Sequence, residues 1–174
     1  MPATVRLEPL DESHVGDVAK LLEDPEVLRF TRIPEPPPPD FAGTWIARYE
    51  AARQEGTREG FAAVGPDGEF LGLALAPEID REARELELGY IVAAEARGRG
   101  VASEVLRLLT EWAFSELDAQ RIFLIIDVDN PASERVAARC GYVREGMMRS
   151  VFVKQEIRAD VTLWSRLPTD PAPA

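Results

Sequence analysis

Two arginines and two glycines crowd into the stretch Arg97-Gly98-Arg99-Gly100-Val101-Ala102. An apolar, strand-like run, Leu86 to Val92, precedes it, and a long helix-like run, Val101 to Leu117, follows. The glycines therefore meet the first turn of a helix. There the N–H groups have no intrahelical partner, and the aligned peptide dipoles make the end positive. Glycine permits positive φ and lets a ligand approach the backbone; arginine adds planar donors suited to phosphate. The chemistry on offer is capture of a phosphorylated ligand by backbone N–H groups. The alternative is an arginine-rich surface turn.

Two glycine-rich phosphate loops are a poor match. A Walker loop needs Gly-Lys-Ser/Thr at the helix start, whereas Gly100 is followed by Val101 and Ala102, with no lysine for terminal phosphates and no hydroxyl for Mg²⁺. A dinucleotide fingerprint is closer, with Gly98, Gly100 and a small Ser103, and Asp127 at the end of the next strand. However, Ala93 to Arg97 separate the strand from the first glycine, and helices and a hairpin precede that strand.

The elements that must position this loop follow from periodicity and turn signals. Thr4 to Glu8 alternates as a first strand. Ser13 is expected to cap a helix with Val15, Val18, Ala19, Leu21 and Leu22 on one face, and Asp24-Pro25 starts a second short turn. Ile33 to Pro39 is proline-rich and reads as a polyproline-like connector, or as a wall over a cleft. Asp40 is expected to cap a helix carrying Trp45, Ile46, Tyr49 and Ala52, with Trp45 read as core. Phe61 to Gly65 and Phe70 to Ala76 flank the turn Gly65-Pro66-Asp67-Gly68, a hairpin signal. Pro77 to Arg84 reads as a loop, Glu85 to Val92 as a central strand, and Arg121 to Asp127 as a buried strand. Asn130-Pro131 opens a helix that Gly141 stops. Tyr142 to Val153 and Ile157 to Leu167 read as antiparallel closing strands, and Pro168 to Ala174 as a flexible tail. The result is an α/β chain, one domain over residues 1–174: a mixed, mostly antiparallel sheet flanked by helices. Its one strand–helix–strand crossover runs through the glycine stretch.

The motifs also form a sequence of their own. Arg97, Gly100 and Ala102 meet the pattern Gln/Arg-x-x-Gly-x-Gly/Ala. Asn130-Pro131-Ala132-Ser133, then Val136, Arg139, Cys140, Gly141 and Tyr142, meet an Asn-x-x-Ser helix ending in Gly-Phe/Tyr. Glu145-Gly146-x-x-Arg149, Arg6-Leu7-x-Pro9-Leu10 and Asp24-Pro25-Glu26-Val27 complete the series. In this order the chain resembles the GNAT superfamily of acetyl-CoA-dependent N-acetyltransferases, and within it the RimJ/RimL-type branch that acts on ribosomal-protein N-termini.

That resemblance implies the GNAT acyl-CoA N-acyltransferase fold, with the CoA pyrophosphate on the loop Arg97, Gly98, Arg99, Gly100, Val101, Ala102 and Ser103. It puts the pantetheine arm along Tyr90, Ile91 and Val92, with a bond from Asn130 and the Val92 N–H for the oxyanion. It implies direct transfer to a primary amine, with Glu87 as general base and Glu85, one pleat earlier on the same face, as second choice. Many family members place a proton-donating tyrosine four residues before the helix-ending glycine; here that position is Ala137, so Ser133 is the candidate donor. The implied acceptor is a protein or peptide α-amine. The alternatives are a small-molecule amine or a non-catalytic acyl-CoA-binding module. Arg135 and Arg139 are candidates for a 3′-phosphate, and Asp160 for ordering the sheet's active end. His14 and Cys140 are read as structural.

Composition bounds these readings. The 174 residues suit a sizeable core, and 45% apolar with 29% charged residues describes a soluble globular chain. A net charge of −11 opposes wholesale binding to nucleic acid or to an anionic membrane. It agrees with a cationic acceptor, although solubility explains it equally well. One cysteine precludes an internal disulfide and favours a reducing, cytoplasmic setting. Met1 to Leu10 lacks a leader pattern, and no apolar run nears the ~20 residues that span a bilayer. One cysteine and one histidine offer no metal constellation. The chain is expected to act as a monomer or a homodimer.

Overall fold

Alternation after Thr4 becomes β1 (Arg6–Pro9) in the computed structural model, which describes residues 4–173. Met1 to Ala3 and Ala174, parts of the leader and tail readings, lie outside the described residues. The helices are α1 (Val15–Leu21), α2 (Pro25–Arg29), α3 (Phe41–Glu55), α4 (Val101–Leu117) and α5 (Pro131–Arg139). The other strands are β2 (Glu59–Val64), β3 (Phe70–Asp80), β4 (Glu85–Val92), β5 (Arg121–Asp127), β6 (Val143–Lys154) and β7 (Ile157–Arg166). They form one seven-stranded sheet in the order β1-β2-β3-β4-β5-β7-β6. Every neighbouring pair is antiparallel except β4–β5, whose parallel crossover is α4. The expected mixed sheet and its crossover are what the fold contains.

The two faces of the sheet can be told apart residue by residue. On β2, Phe61 packs edge-on against Trp112 of α4, with ring centroids 5.2 Å apart. Its neighbour Gly60 lies against Tyr49 of α3. Successive strand residues point to opposite faces, so α4 and α3 cover opposite sides. Residues directly across from one another share a face. Phe61, Ala74 and Tyr90 therefore look to the α4 side, and Gly60, Leu75 and Gly89 to the α3 side. Glu87 and Ile91, two residues either way from Gly89, join the α3 side. The core fills both layers: Leu10 and Ile46 on the α3 side, and Val105, Leu106 and Leu109 from the apolar stripe of α4, are all fully buried.

The structure departs from the sequence expectations in several places, each with a local cause. Pro77 to Asp80 is strand, not loop. A bulge between Leu75 and Glu78 takes up Pro77, which has no N–H to give a ladder, and pairing resumes at Glu78↔Glu87, Ile79↔Leu86 and Asp80↔Glu85. Asp11, not Ser13, caps the first helical turn, its Oδ1 accepting from Ser13 N–H at 3.0 Å. Asp40 precedes α3 in a left-handed conformation and makes no side-chain cap; the Phe41 N–H donates to Pro38 O at 3.2 Å, so the proline segment starts that helix. In the tail, the Asp170 N–H donates to Leu167 O at 3.1 Å, closing a turn.

The outer hairpin is shaped for contact with the cleft. Between Met148 and Phe152, three β6 residues bulge opposite Asp160 alone. Asp160 holds the bulge by accepting from the Ser150 N–H at 2.8 Å. The hairpin tip then reaches the proline segment: Gln155 Nε2 donates to Glu35 O at 2.5 Å, and Lys154 Nζ donates to Leu28 O and pairs with Glu35.

Candidate active site

β4 and β5 run together for only three residue pairs, Glu85–Glu87 against Arg121–Phe123, and then part. Beyond that point β4 stays with β3 as far as Val92, and β5 stays with β7 as far as Asp127. In an antiparallel ladder, alternate residues turn their N–H and C=O to the partner. The Ala93 N–H donates to Leu71 O (2.9 Å), so Tyr90 and Val92 direct theirs away from β3, into the split. By the same alternation from the Val128 N–H on Asp160 O, Ile125 does so from the other side, while the Asp127 carbonyl accepts from the Asn130 N–H at 2.9 Å. The split is an unpaired strand edge of the kind that an extended chain can join.

The glycine loop stands at the open end of this split. Gly98 (φ 72) and Gly100 (φ 81) are left-handed, and a Cβ at either would meet nothing within 4 Å, so backbone conformation rather than crowding calls for glycine. The N–H groups of Gly98, Arg99, Gly100, Val101, Ala102 and Ser103 donate to no acceptor among the described residues. Six such donors at the start of the 17-residue α4 make an anion site of backbone groups and helix dipole. The Arg97 side chain is used elsewhere. Its guanidinium meets Asp24 Oδ2 at 2.6 Å and Glu26 Oε2 at 2.7 Å, and its Nε donates to Val92 O at 3.2 Å. Arg97 thus ties α2 to the end of β4.

Burial works to raise the Asp24 carboxyl, but the Glu26 N–H and the Arg97 guanidinium outweigh it and hold it below its ordinary value. A lowered acid contributes stability that is complete above its unfolded pKa and lost as pH falls through the folded one. Arg97→Ala is expected to cost about 1–2 kcal/mol of unfolding free energy at neutral pH, allowing for partial exposure. The gap in Tm from the unsubstituted protein should close in acid, as Asp24 protonates in both. A gap independent of pH would remove Asp24 from the explanation.

Below the loop lies a cleft of about 610 Å³, running from Ala102 and Asn130 to Glu87 and the aromatic side chains of α3. At its α5 end, Asn130 caps that helix, its Oδ1 accepting from the Ser133 N–H at 3.2 Å, which leaves its amide N–H₂ for another partner. Ser133 stands one turn inside α5, half-buried in the cleft wall. The Tyr90 hydroxyl comes up beside it from β4. This phenol is buried, makes no hydrogen bond of full geometry among the described residues, and is pushed up to about 12 by burial, with the adjacent Ser133 hydroxyl opposing. Cys140 is buried behind them. Burial raises its thiol, and Sγ lies 3.4 Å from Ser103 O, as a structural thiol does.

On the α3 side, Glu87 lines the cleft without an ion pair or hydrogen bond among the described residues. Burial raises its pKa, with Arg32 opposing and Glu78, directly across on β3, adding to the rise. A partly desolvated carboxylate with a raised pKa suits a general base. Glu85 is placed differently: it pairs with Arg121 at 2.7 Å where β4 and β5 still run together. Trp45, read as core, is instead half-buried in the cleft wall beside Tyr49, their ring centroids 4.8 Å apart. Arg32, Arg48 and Phe152 also line this side, and no motif announced them. His14 accepts from the Asp11 N–H in the first helical turn, and Arg139 Nη1 reaches Ser103 Oγ at 3.4 Å. Among the described residues there is no grouping of three or more His, Cys, Asp or Glu placed to hold a metal, and no helix long and apolar enough to cross a membrane.

The chain is 29% identical over 93 residues to the spermidine N(1)-acetyltransferase of Escherichia coli (strain K12), a match covering 53% of the chain and 50% of that relative. It is 27% identical over 101 residues to the ribosomal-protein-serine acetyltransferase of the same organism, covering 58% of the chain and 56% of that relative. The chain spans about half the length of such curated relatives. The fold is shared with the spermidine N-acetyltransferase of Vibrio cholerae, solved in complex with CoA and spermine: TM-score 0.85, 21% identity, 96% of this chain and 97% of that one. The model of the acetyltransferase (GNAT) domain matches residues 4–143, from β1 through the glycine loop to the end of α5, and with that match the chain belongs to the GNAT acetyltransferase family.

Proposed function

We propose that the protein transfers an acetyl group from acetyl-CoA to a primary amine, with Glu87 as general base. One observation carries this reading: the β4–β5 split leads from six free N–H groups at Gly98–Ser103 to the unpaired carboxylate of Glu87. The residues present fit acetyl-CoA. Gly98 to Ser103 suit its pyrophosphate, the outward N–H and C=O groups of Tyr90 suit an amide of its pantetheine arm, and the Asn130 amide stands beside the same path.

Acetyl-CoA supplies an activated acyl thioester; the chain supplies position and proton transfer. An α-amine has a reference pKa of about 8 and a lysine amine of about 10.4, so at neutral pH the acceptor must lose a proton before it attacks. Glu87, on the α3 face, takes that proton directly or through water. The C–N bond forms across the split as the C–S bond breaks, and the Val92 N–H points to where the acyl oxygen gathers charge. The thiolate leaves on the α5 side, where Ser133 is the nearest hydroxyl on α5 and Tyr90, held protonated by burial, stands next to it as a further donor.

The acceptor is a peptide α-amine or a small amine; relatives of both kinds support the two readings equally. The test is thiol release from acetyl-CoA over a panel of peptides, amino acids and polyamines. Turnover with at least one amine is expected. Tight acetyl-CoA binding without release for any amine would favour a non-catalytic binding module instead.

A further inference from the structure

The acceptor half of the cleft is charged in a way that a polycation does not match. Six charged residues line the cleft: Glu26, Arg32, Arg48, Glu87, Arg97 and Asp127. Glu26 and Arg97 pair with each other. Asp127 lies at the α5 end and accepts from the Asp129 N–H at 2.8 Å. That leaves one carboxylate, Glu87, and two guanidiniums, Arg32 and Arg48, on the α3 side. Neither arginine has an ion pair or a hydrogen bond among the described residues, although the chain carries 31 acids against 20 bases.

Both guanidiniums are braced. The Cζ of Arg32 lies 5.7 Å from the ring centroid of Phe152, and that of Arg48 lies 5.9 Å from the centroid of Phe41. A guanidinium resting on an aromatic face keeps its planar edge of N–H donors for an oxyanion. The fold builds this placement. The β6 bulge precedes Phe152, and the hairpin tip pins the proline segment that follows Arg32. Trp45, Tyr49 and Phe30 supply apolar wall to the same cleft.

We infer that the acceptor is an amine with an apolar body and a carboxylate: amine at Glu87, body against Trp45 and Tyr49, carboxylate on Arg32 and Arg48. The inference rests on the acetyl-transfer reading above. A polyamine would set its further cations against two guanidiniums, with Glu87 the one lining carboxylate on that side and Glu78 across the β3–β4 ladder from it. Two sources carry the inferred chemistry, a free apolar amino acid and a peptide N-terminus with an acidic side chain close behind it.

The test measures thiol release from acetyl-CoA with five acceptors: phenylalanine, phenylalaninamide, a tripeptide amide beginning phenylalanyl-aspartyl, its phenylalanyl-asparaginyl counterpart, and spermidine. The full chain, Arg48→Gln and the Arg32→Gln/Arg48→Gln double variant are compared. The unsubstituted protein should favour the carboxylate member of one pair by about tenfold or more in kcat/KM, as charge-assisted hydrogen bonds to an arginine allow. The pair that shows the preference names the source. The preference should fall toward one in the single variant and vanish in the double variant. Each preference is compared between protein forms for the same two acceptors, so the acceptors' own amine pKa values cancel. CoA titration of each variant confirms that the fold is kept. Spermidine as the best acceptor, or a carboxylate preference that survives both substitutions, overturns the inference and leaves acetyl transfer standing. No thiol release with any amine overturns both.

Discussion

Glu87→Gln is expected to lower kcat for thiol release at neutral pH by about 10²- to 10⁴-fold, the range general bases supply. The size of the loss reports the acceptor. An α-amine with a pKa near 8 is already about one-tenth neutral at pH 7, so it depends less on a base than a lysine amine does. For a peptide or amino-acid α-amine the loss belongs near the lower end. The pH profile separates catalysis from structure. In the unsubstituted protein the rate should fall as pH drops through the Glu87 pKa, which burial holds above the ordinary carboxylate range. In the variant that limb should vanish, and the residual rate should climb with pH as the free amine itself deprotonates. Stability moves the opposite way. A carboxyl whose folded pKa is raised contributes stability below its unfolded pKa and loses it as pH rises through the folded one. Neutral glutamine removes that loss, so Tm at pH 7 should hold or rise. Full kcat in Glu87→Gln at neutral pH would end the assignment.

The division of labour between the two sheet faces explains why Glu87 and Ser133 do not compete for one role. Glu87 belongs to the face covered by α3, and Ser133 and Tyr90 to the face covered by α4 and α5. Only the β4–β5 split joins them. In the proposed reaction an amine entering from the aromatic side would meet a thioester whose sulfur lies toward α5, so that a proton would be taken on one side and returned on the other. This geometry needs the strands to part immediately after Glu87, and the last β4–β5 pair is Glu87↔Phe123.

How much of this the sequence carried depends on how local each signal is. The glycine loop was legible because positive-φ residues and a helix start adjoin one another in the chain. The same holds for Asn130, a cap three residues from the N–H it accepts. Alternation along β4 was enough to put Glu87 and Ile91 on one face. Long-range partners were not legible. The Arg97 guanidinium is held by Asp24 and Glu26, more than seventy residues upstream, so a motif arginine that looked available to phosphate is an ion-pair anchor. Pro77 read as the end of a strand because a bulge depends on the partner strand's register. Arg32, Arg48, Trp45 and Phe152 come from the turn after α2, from α3 and from β6, and the folded chain brings these pieces to one wall. Tyr90 was placed on its strand, but what its hydroxyl faces is set by α5.

Gly100→Val is expected to weaken acetyl-CoA binding about tenfold or more while leaving the fold in place. At φ 81 an L-residue pays roughly 1–2 kcal/mol to stay left-handed, and a β-branched side chain more. No atom within 4 Å would collide with a Cβ there, so the cost is conformational and confined to the loop. The backbone can escape it by moving to negative φ, but that rotates the N–H groups flanking Gly100 away from a common centre. Either outcome lowers phosphate affinity, because the proposed site draws on the N–H groups on both sides of Gly100. A useful contrast is Gly43→Ala, inside α3, where the added methyl also meets nothing within 4 Å and φ is not left-handed. That substitution should stabilise the helix by about 0.5–1 kcal/mol and leave the cofactor affinity as it was. Calorimetric titration with CoA and thermal unfolding of both variants check the pair. If Gly100→Val binds CoA as tightly as the unsubstituted chain, the pyrophosphate does not rest on this loop, and the route from it along β4 to Glu87 loses its starting point.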